Sequence, residues 1–423
     1  MAETVDVAVV GAGLAGLVAA RRLHDAGLHV VVYEAADDVG GRVRTDEVDG
    51  FLLDRGFQVL CPGYPALAAE FDVPALHLRP FTRGLGVFRG EKLHRLKPGL
   101  TAPGAVPGGL LPLGDAIAVA GLAVRDALGS DRQLKRRADR TTLEELIEAG
   151  MTPAGVDRLL RPFLSGVFLE DRLDTSGRFF HLMWRTFLRG GAAVPAQGMR
   201  ALPRQLAAGL PDVRVGALVT RITSEGLVVA GVGAVRAAAV VVATDADTAA
   251  DLLPGLRRPG WHGVTTFYHD AGPAPLDEAL LLVDAEDRLV RNTVVLSAAA
   301  AGYAPAGHSL VATSVLDTDT SLPELERLVR DRLSVLYDTV TGSWRLLGAY
   351  RIPRALPAMT APHPLRRLVR FDQRRYVCGD HRDTSSIQGA LVSGRRTAQL
   401  VLRDLRGQLA GTASHEVNAR GWR

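Results

Sequence analysis

Val5–Val10 is a short, mostly β-branched run, the pattern of a strand buried on both faces. A glycine-rich turn from Gly11 to Gly16 follows at once, and Leu14–Ala26 then carries helical spacing that Gly27 closes. His29–Tyr33 is a second apolar strand, ended by Glu34, so a β-α-β unit fits into about 30 residues. Residues 141–206 are mixed and mostly helical. Val213–Ile222, Gly226–Ala230 and Ala239–Ala243 predict strands, and strand and loop signals alternate over 263–316. Leu325, Val329, Leu333 and Leu336 share one face of a helix predicted over 322–337. A short strand over Tyr376–Cys378 precedes a helical run over 389–405, and the last dozen residues, without pattern, are expected to fray.

One stretch breaks the alternation. Pro98–Val124 carries a single charge, Asp115, and only Leu113–Val124 could form an uninterrupted helix, too short to span a bilayer. Arg125, Arg132, Lys135, Arg136, Arg137 and Arg140 follow. Apolar beside basic allows peripheral membrane contact through 98–140. The plainer reading, an apolar helix inside a domain next to a solvated arginine-rich face, is preferred here.

Composition narrows the class. With 423 residues the chain is long enough for two or three domains, and 47% hydrophobic against 23% charged residues is ordinary for a globular protein. The net charge is +4, but Lys92, Lys97 and Lys135 are the only lysines among 50 basic residues. Such arginine bias is weak evidence for an acidic partner, and nucleic acid is not expected. Cys61 and Cys378 are too few and too scattered for a disulfide scaffold, and no CxxC pair suggests a metal site. No HExxH, GxSxG or phosphate-loop lysine motif is present. The first six residues carry Glu3 and Asp6 and no basic run, so no signal peptide is expected and the cytoplasm is the expected location.

The chemistry starts at the glycine turn. In GxGxxG, Gly11 permits the tight turn, Gly13 lets a pyrophosphate approach the backbone, and Gly16 lets helix and strand pack closely; Ala15 lies in the same loop. The helix N-terminus offers unpaired N–H groups and a positive dipole to phosphate. Glu34 is placed to accept hydrogen bonds from an adenosine ribose, and its charge disfavours a 2′-phosphate. Gly40-Gly41-Arg42 then supplies a second open backbone and a fixed cation.

With GGRxxT over 40–45 and GFxxDxG over 50–56, followed by Phe57 and Gln58, the chain resembles the FAD-dependent flavin amine oxidase, protoporphyrinogen oxidase and phytoene desaturase-like superfamily. Two later blocks resemble the same superfamily. Val213–Ile222 is similar to a strand where the backbone at Val219 contacts the adenine, although a plain core valine remains open. Gly379-Asp380 with Gln388-Gly389-Ala390 is similar to the closing GD…GAxxSG motif. The resemblance implies that Gly379 and Asp380 hold the ribityl and pyrophosphate, and that the helix from Gln388 points its dipole at the flavin. Gly41, Arg42, Gly56, Phe57 and Gln58 join the implied cofactor set.

The implied fold is α/β: a discontinuous, GR2-type, Rossmann-like FAD-binding domain over 1–85, 195–255 and 365–410, with an inserted α+β substrate domain over 86–194 and 256–364 and a flexible tail over 411–423. FAD is expected to be noncovalent, since neither cysteine matches an attachment motif. Many relatives carry a lysine near the flavin, and the matching stretch 258–270 has none. Gln58, His262, Tyr268, His269, Tyr350 and Arg351 are candidates to line the substrate chamber, and Cys61 is a weaker one. The expected activity is hydride removal from a C–C or C–N bond of a hydrophobic small molecule, with oxygen, a quinone or another electron acceptor. A non-redox flavin isomerase and a non-catalytic FAD-stabilised binding protein remain the alternatives.

Overall fold

A computed structural model describes residues 3–96 and 109–420. Residues 98–108 of the stretch considered for membrane contact, and the last three residues of the expected tail, lie outside the described residues.

The β-branched run forms Glu3–Val10, the middle of a seven-stranded sheet. It pairs in parallel with Gly233–Val242 on one side and Val30–Tyr33 on the other, with Val7 opposite Ala239 and Val30. Covered on both faces, Val7 and Val9 are fully buried. Arg375–Val377 adds to Gly233–Val242 in parallel, and Gly226–Val229 and Val219–Ile222 extend the sheet as an antiparallel edge. The expected single strand over 213–222 is therefore two. Val213–Arg214 pairs with Val30–Tyr33 at the opposite edge, and Gly216, at φ +66°, turns the chain between them.

A second seven-stranded sheet runs in the order Arg345–Pro357, Trp261–Asp270, Leu310–Leu316, Asn292–Val295, Leu282–Asp284, Leu85–Arg89, Lys92–Leu96. All its pairs are antiparallel except Leu282–Asp284 with Leu85–Arg89. Helix Leu322–Leu336 covers one face, burying the expected Leu325, Val329, Leu333 and Leu336 against Phe267, Val311 and Val315. A helical cluster built from Leu113–Leu128, Thr142–Glu148, Arg161–Phe168 and Gly177–Gly190 packs around Phe180 and Trp184.

The closing helix begins at Ile387 and continues to Arg420, beyond the expected end at Leu405. No proline interrupts that span, so nothing in the backbone stops it. It lies on the first helix, Leu14–Asp25, at a crossing so close that a Cβ on Gly394 would overlap the Ala15 carbonyl. No described helix is long and apolar enough to cross a membrane.

Candidate active site

The glycines at the first turn have separate tasks. A Cβ on Gly11, at φ +102°, would come within 2.9 Å of the Ala243 carbonyl oxygen, and one on Gly16 would overlap the Gly11 carbonyl. Both glycines hold strand and helix together. Gly13 differs: at φ −70° any residue fits its backbone, and a Cβ there would meet nothing within 4 Å. It caps a helix with no side-chain cap and no acid in the first turn, so the N–H groups face an open cavity. Glu34 ties the turn down. One carboxylate oxygen accepts the Ala12 N–H at 2.7 Å and the other the Ala36 N–H at 2.9 Å. Gly41, at φ +61°, brings the second loop within 3.4 Å of the Gly13 Cα, measured to an added Cβ.

Beyond the turn, Arg42 spans three remote segments. Its guanidinium donates to Asp380 Oδ1 at 2.6 Å and to the Ala355 carbonyl at 2.8 Å, and stands 5.9 Å from the Trp261 ring centroid. Gln58 Nε2 donates to the Arg42 carbonyl at 2.6 Å and the Arg55 carbonyl at 3.1 Å, while its Oε1 is buried without a partner among the described residues. The Phe57 N–H donates to Thr266 Oγ1 at 3.1 Å, which fastens the GFxxDxG turn to the second sheet. Gly13, Ala15, Glu34, Gly41, Arg42, Gly56, Phe57, Gln58, Val219, Gly379, Asp380 and Ala390 all border one cavity of about 1280 Å³.

That cavity continues into an apolar chamber between the two sheets and the helical cluster. Phe179, Met183, Trp184 and Phe187 line it from helix Gly177–Gly190, and Leu159, Leu160 and Phe163 from the segment before. Asn292 and Ser314 add two polar groups from the second sheet, and the Asn292 Oδ1 is buried without a partner among the described residues. No His or Lys is among the described lining residues. Sequence reasoning missed the helical wall, whose signal was the recurrence of aromatic residues at four- and three-residue steps over 179–187.

Several candidates lie elsewhere. Tyr268 and His269 are adjacent on strand Trp261–Asp270 and so point to opposite faces. Tyr268 shares the face of Val264, which borders the cavity, but sits further along and donates to the Asp54 carbonyl at 2.8 Å. His269 points the other way, bonding Glu326 of the covering helix at 3.1 Å. Both are fully buried and neither lines the cavity; nor does His262. Gln388 turns away to accept the Ala66 N–H at 3.0 Å. Gly389, like Gly16, serves packing: a Cβ there would overlap the Thr384 carbonyl. Tyr350 and Arg351 do border the cavity, but Tyr350 donates to Asp46 at 2.8 Å and Arg351 to the Thr320 carbonyl. Cys61 also borders it; burial pushes its thiol up to about 12, so it stays neutral at physiological pH.

The residues fit FAD. The Gly13–Gly41 gap is space that a Cβ would fill, and the uncapped N-terminus of Leu14–Asp25 suits a diphosphate. Among the described residues, no group of His, Cys, Asp or Glu could hold a metal ion.

Known proteins share this fold and parts of this sequence. A Mycobacterium tuberculosis chain assigned as a flavin-containing monoamine oxidase, AofH, is 43% identical over 91 residues, 21% of this chain and 20% of its own length. Putrescine oxidase of Kocuria rosea is 52% identical over 67 residues, 16% of this chain and 14% of its own. The chain thus matches only a fifth or less of these relatives' length. Hydroxysqualene dehydroxylase of Rhodopseudomonas palustris is 29% identical over 446 aligned positions, covering 95% of this chain and 99% of that one. The solved structure of cyclohexylamine oxidase from Brevibacterium oxydans IH-35A superposes with a TM-score of 0.70 at 16% identity, over 95% and 99% of the two chains, which shows a shared fold. The family model for flavin containing amine oxidoreductase matches residues 14–402, from the first helix deep into the closing one. On that span the chain belongs to the flavin containing amine oxidoreductase family, whose members are FAD-dependent oxidoreductases.

Proposed function

We propose that this chain removes hydride from a C–C or C–N bond of an apolar small molecule, with oxygen, a quinone or another acceptor taking the electrons. One observation carries the reading: the glycine cradle and an aliphatic–aromatic chamber form a single continuous cavity. Bound FAD supplies the hydride acceptor. Gly11, Gly13, Ala15 and Gly41 leave backbone open to its diphosphate, Glu34 offers remaining lone pairs to a ribose, and Arg42 with Asp380 closes the cradle. Phe163, Phe179, Trp184 and Phe187 exclude water and hold the substrate by contact area. The substrate would lose a hydride to the flavin and a proton to water, and so gain one double bond. With no His or Lys among the described lining residues, and Cys61 kept neutral, no side chain is assigned as a base.

The test is anaerobic mixing of the FAD-loaded protein with a long-chain apolar amine, an isoprenoid alcohol and the short diamine putrescine. Bleaching of the visible flavin band by an apolar compound, with a product one double bond richer, supports the reading. Bleaching by putrescine alone overturns the apolar assignment. Turnover only after dithionite reduction, without net oxidation, makes the protein an isomerase.

A further inference from the structure

Helix Leu113–Leu128 is apolar on both faces: Val119, Leu122 and Ala123 are buried, and a second apolar stripe faces solvent. Its buried positions include two acids, Asp115 and Asp126. Asp115 accepts the Thr152 N–H at 2.6 Å and its hydroxyl at 2.8 Å, and Asp126 Oδ2 meets His181 Nδ1 at 2.6 Å. The solvent side holds Leu113, 78% exposed, Ile117, 64%, Val124, 40%, and Leu128, 82%. Steps of four, seven and four residues place these on one stripe, with exposed Gly114 and Gly121 beside it. The anchored acids, together with buried Val119, Leu122 and Ala123, fix the inner face and leave the outer stripe in water. An apolar stripe held in water in this way marks an interaction surface.

Its rim is basic. Arg125 is exposed at the edge of the stripe, paired sideways with the buried Asp126 at 3.3 Å. Arg189, also exposed, donates to the Ala127 carbonyl at 2.6 Å, and exposed Arg132 and Arg136 follow in the next helix. The stripe also adjoins the chamber. Ala127, next to Leu128, lines the cavity together with Leu188 and the exposed Arg83 and Gly84.

We propose that this face docks on an anionic lipid bilayer, with the helix lying in the interface and this end of the chamber opening toward the acyl chains. Lipid fits better than a second copy, because two copies joined by the stripe would bring their own Arg125 and Arg189 side chains together. The basic rim meets anionic headgroups while the stripe enters the acyl boundary.

The experiment is cosedimentation of the FAD-loaded protein with phosphatidylcholine vesicles, with and without phosphatidylglycerol. Partition is read without substrate, so its outcome is separate from that of the proposed reaction. The wild type is expected to partition onto the anionic vesicles, more weakly at high salt. Ile117→Glu and Leu128→Glu are each expected to reduce partition about tenfold or more. Unchanged flavin absorbance and melting temperature show that the variants are folded, and Leu113→Gln replaces either one that is not. Equal partition of variants and wild type, or none by the wild type, overturns the proposal. So does a lipid-free dimer in analytical ultracentrifugation that the same substitutions dissolve.

Discussion

Gly13 and Gly16 are three residues apart and fail differently when substituted. A side chain at Gly13 enters the cavity without touching the protein, so Gly13→Val is expected to fold with a near-native melting temperature yet purify without flavin absorbance. A fully yellow Gly13→Val protein would place the cofactor elsewhere. At Gly16 the added Cβ overlaps the Gly11 carbonyl, so Gly16→Val loses the fold itself. His381 is a second residue-scale case. Burial, with no partner on either ring nitrogen among the described residues, pushes its pKa down to about 4. The unfolded chain takes up that proton near pH 6.5, so between about 6.5 and 4 the unfolded state binds more protons and stability drops as the pH is lowered. The full span corresponds to about 3 kcal/mol. His381→Gln is expected to flatten the stability profile over that window in urea titrations; an unaltered slope would refute the assignment. The glycines were legible in the sequence because a tight turn is a property of neighbouring residues. His381 was not, since its burial depends on elements far away in the chain.

Among elements, helix Leu113–Leu128 buries two acids beside Val119, Leu122 and Ala123 and exposes a second apolar stripe. Asp126→Ala would leave His181 with Glu145 at 3.0 Å as its one carboxylate partner and the Arg125 guanidinium at 3.4 Å, and is expected to cost about 3 kcal/mol or more. Leu128→Ala, in water, should stay within about 0.5 kcal/mol. Denaturant midpoints of the two variants check this; a larger loss at Leu128 would mean that the stripe is covered. The sequence pattern located this helix, its basic flank and its buried apolar face, but not the second apolar stripe in solvent. The pairing of Asp115 with Thr152 and of Asp126 with His181, with the burial of Val119 and Leu122, decides which face turns outward. Strand Trp261–Asp270 teaches the same point. Its extended run predicts that neighbours Tyr268 and His269 face opposite ways, but not which way leads to the cavity.

The whole molecule is organised around one cavity to which both sheets, both terminal helices and the helical cluster contribute. Binding of FAD should therefore stabilise the assembly as a unit. Free FAD at a hundred times its dissociation constant is expected to add about 2.7 kcal/mol. A melting temperature of the flavin-free protein that rises with added FAD checks this, and one that stays still removes FAD as the ligand. The sequence alone determined the β-α-β start, the glycine cradle, the acid at Glu34 and the closing strand and helix. Each of these is a short-range pattern of glycine freedom, β-branching and periodicity. Tertiary structure decided the chamber. Its wall brings Phe57, Leu160, Trp184 and Ile352 together, and no local pattern states which faces of such distant segments will meet. That meeting follows from packing two sheets and a helical cluster so that each buries its own apolar face, which only the folded chain can satisfy at once.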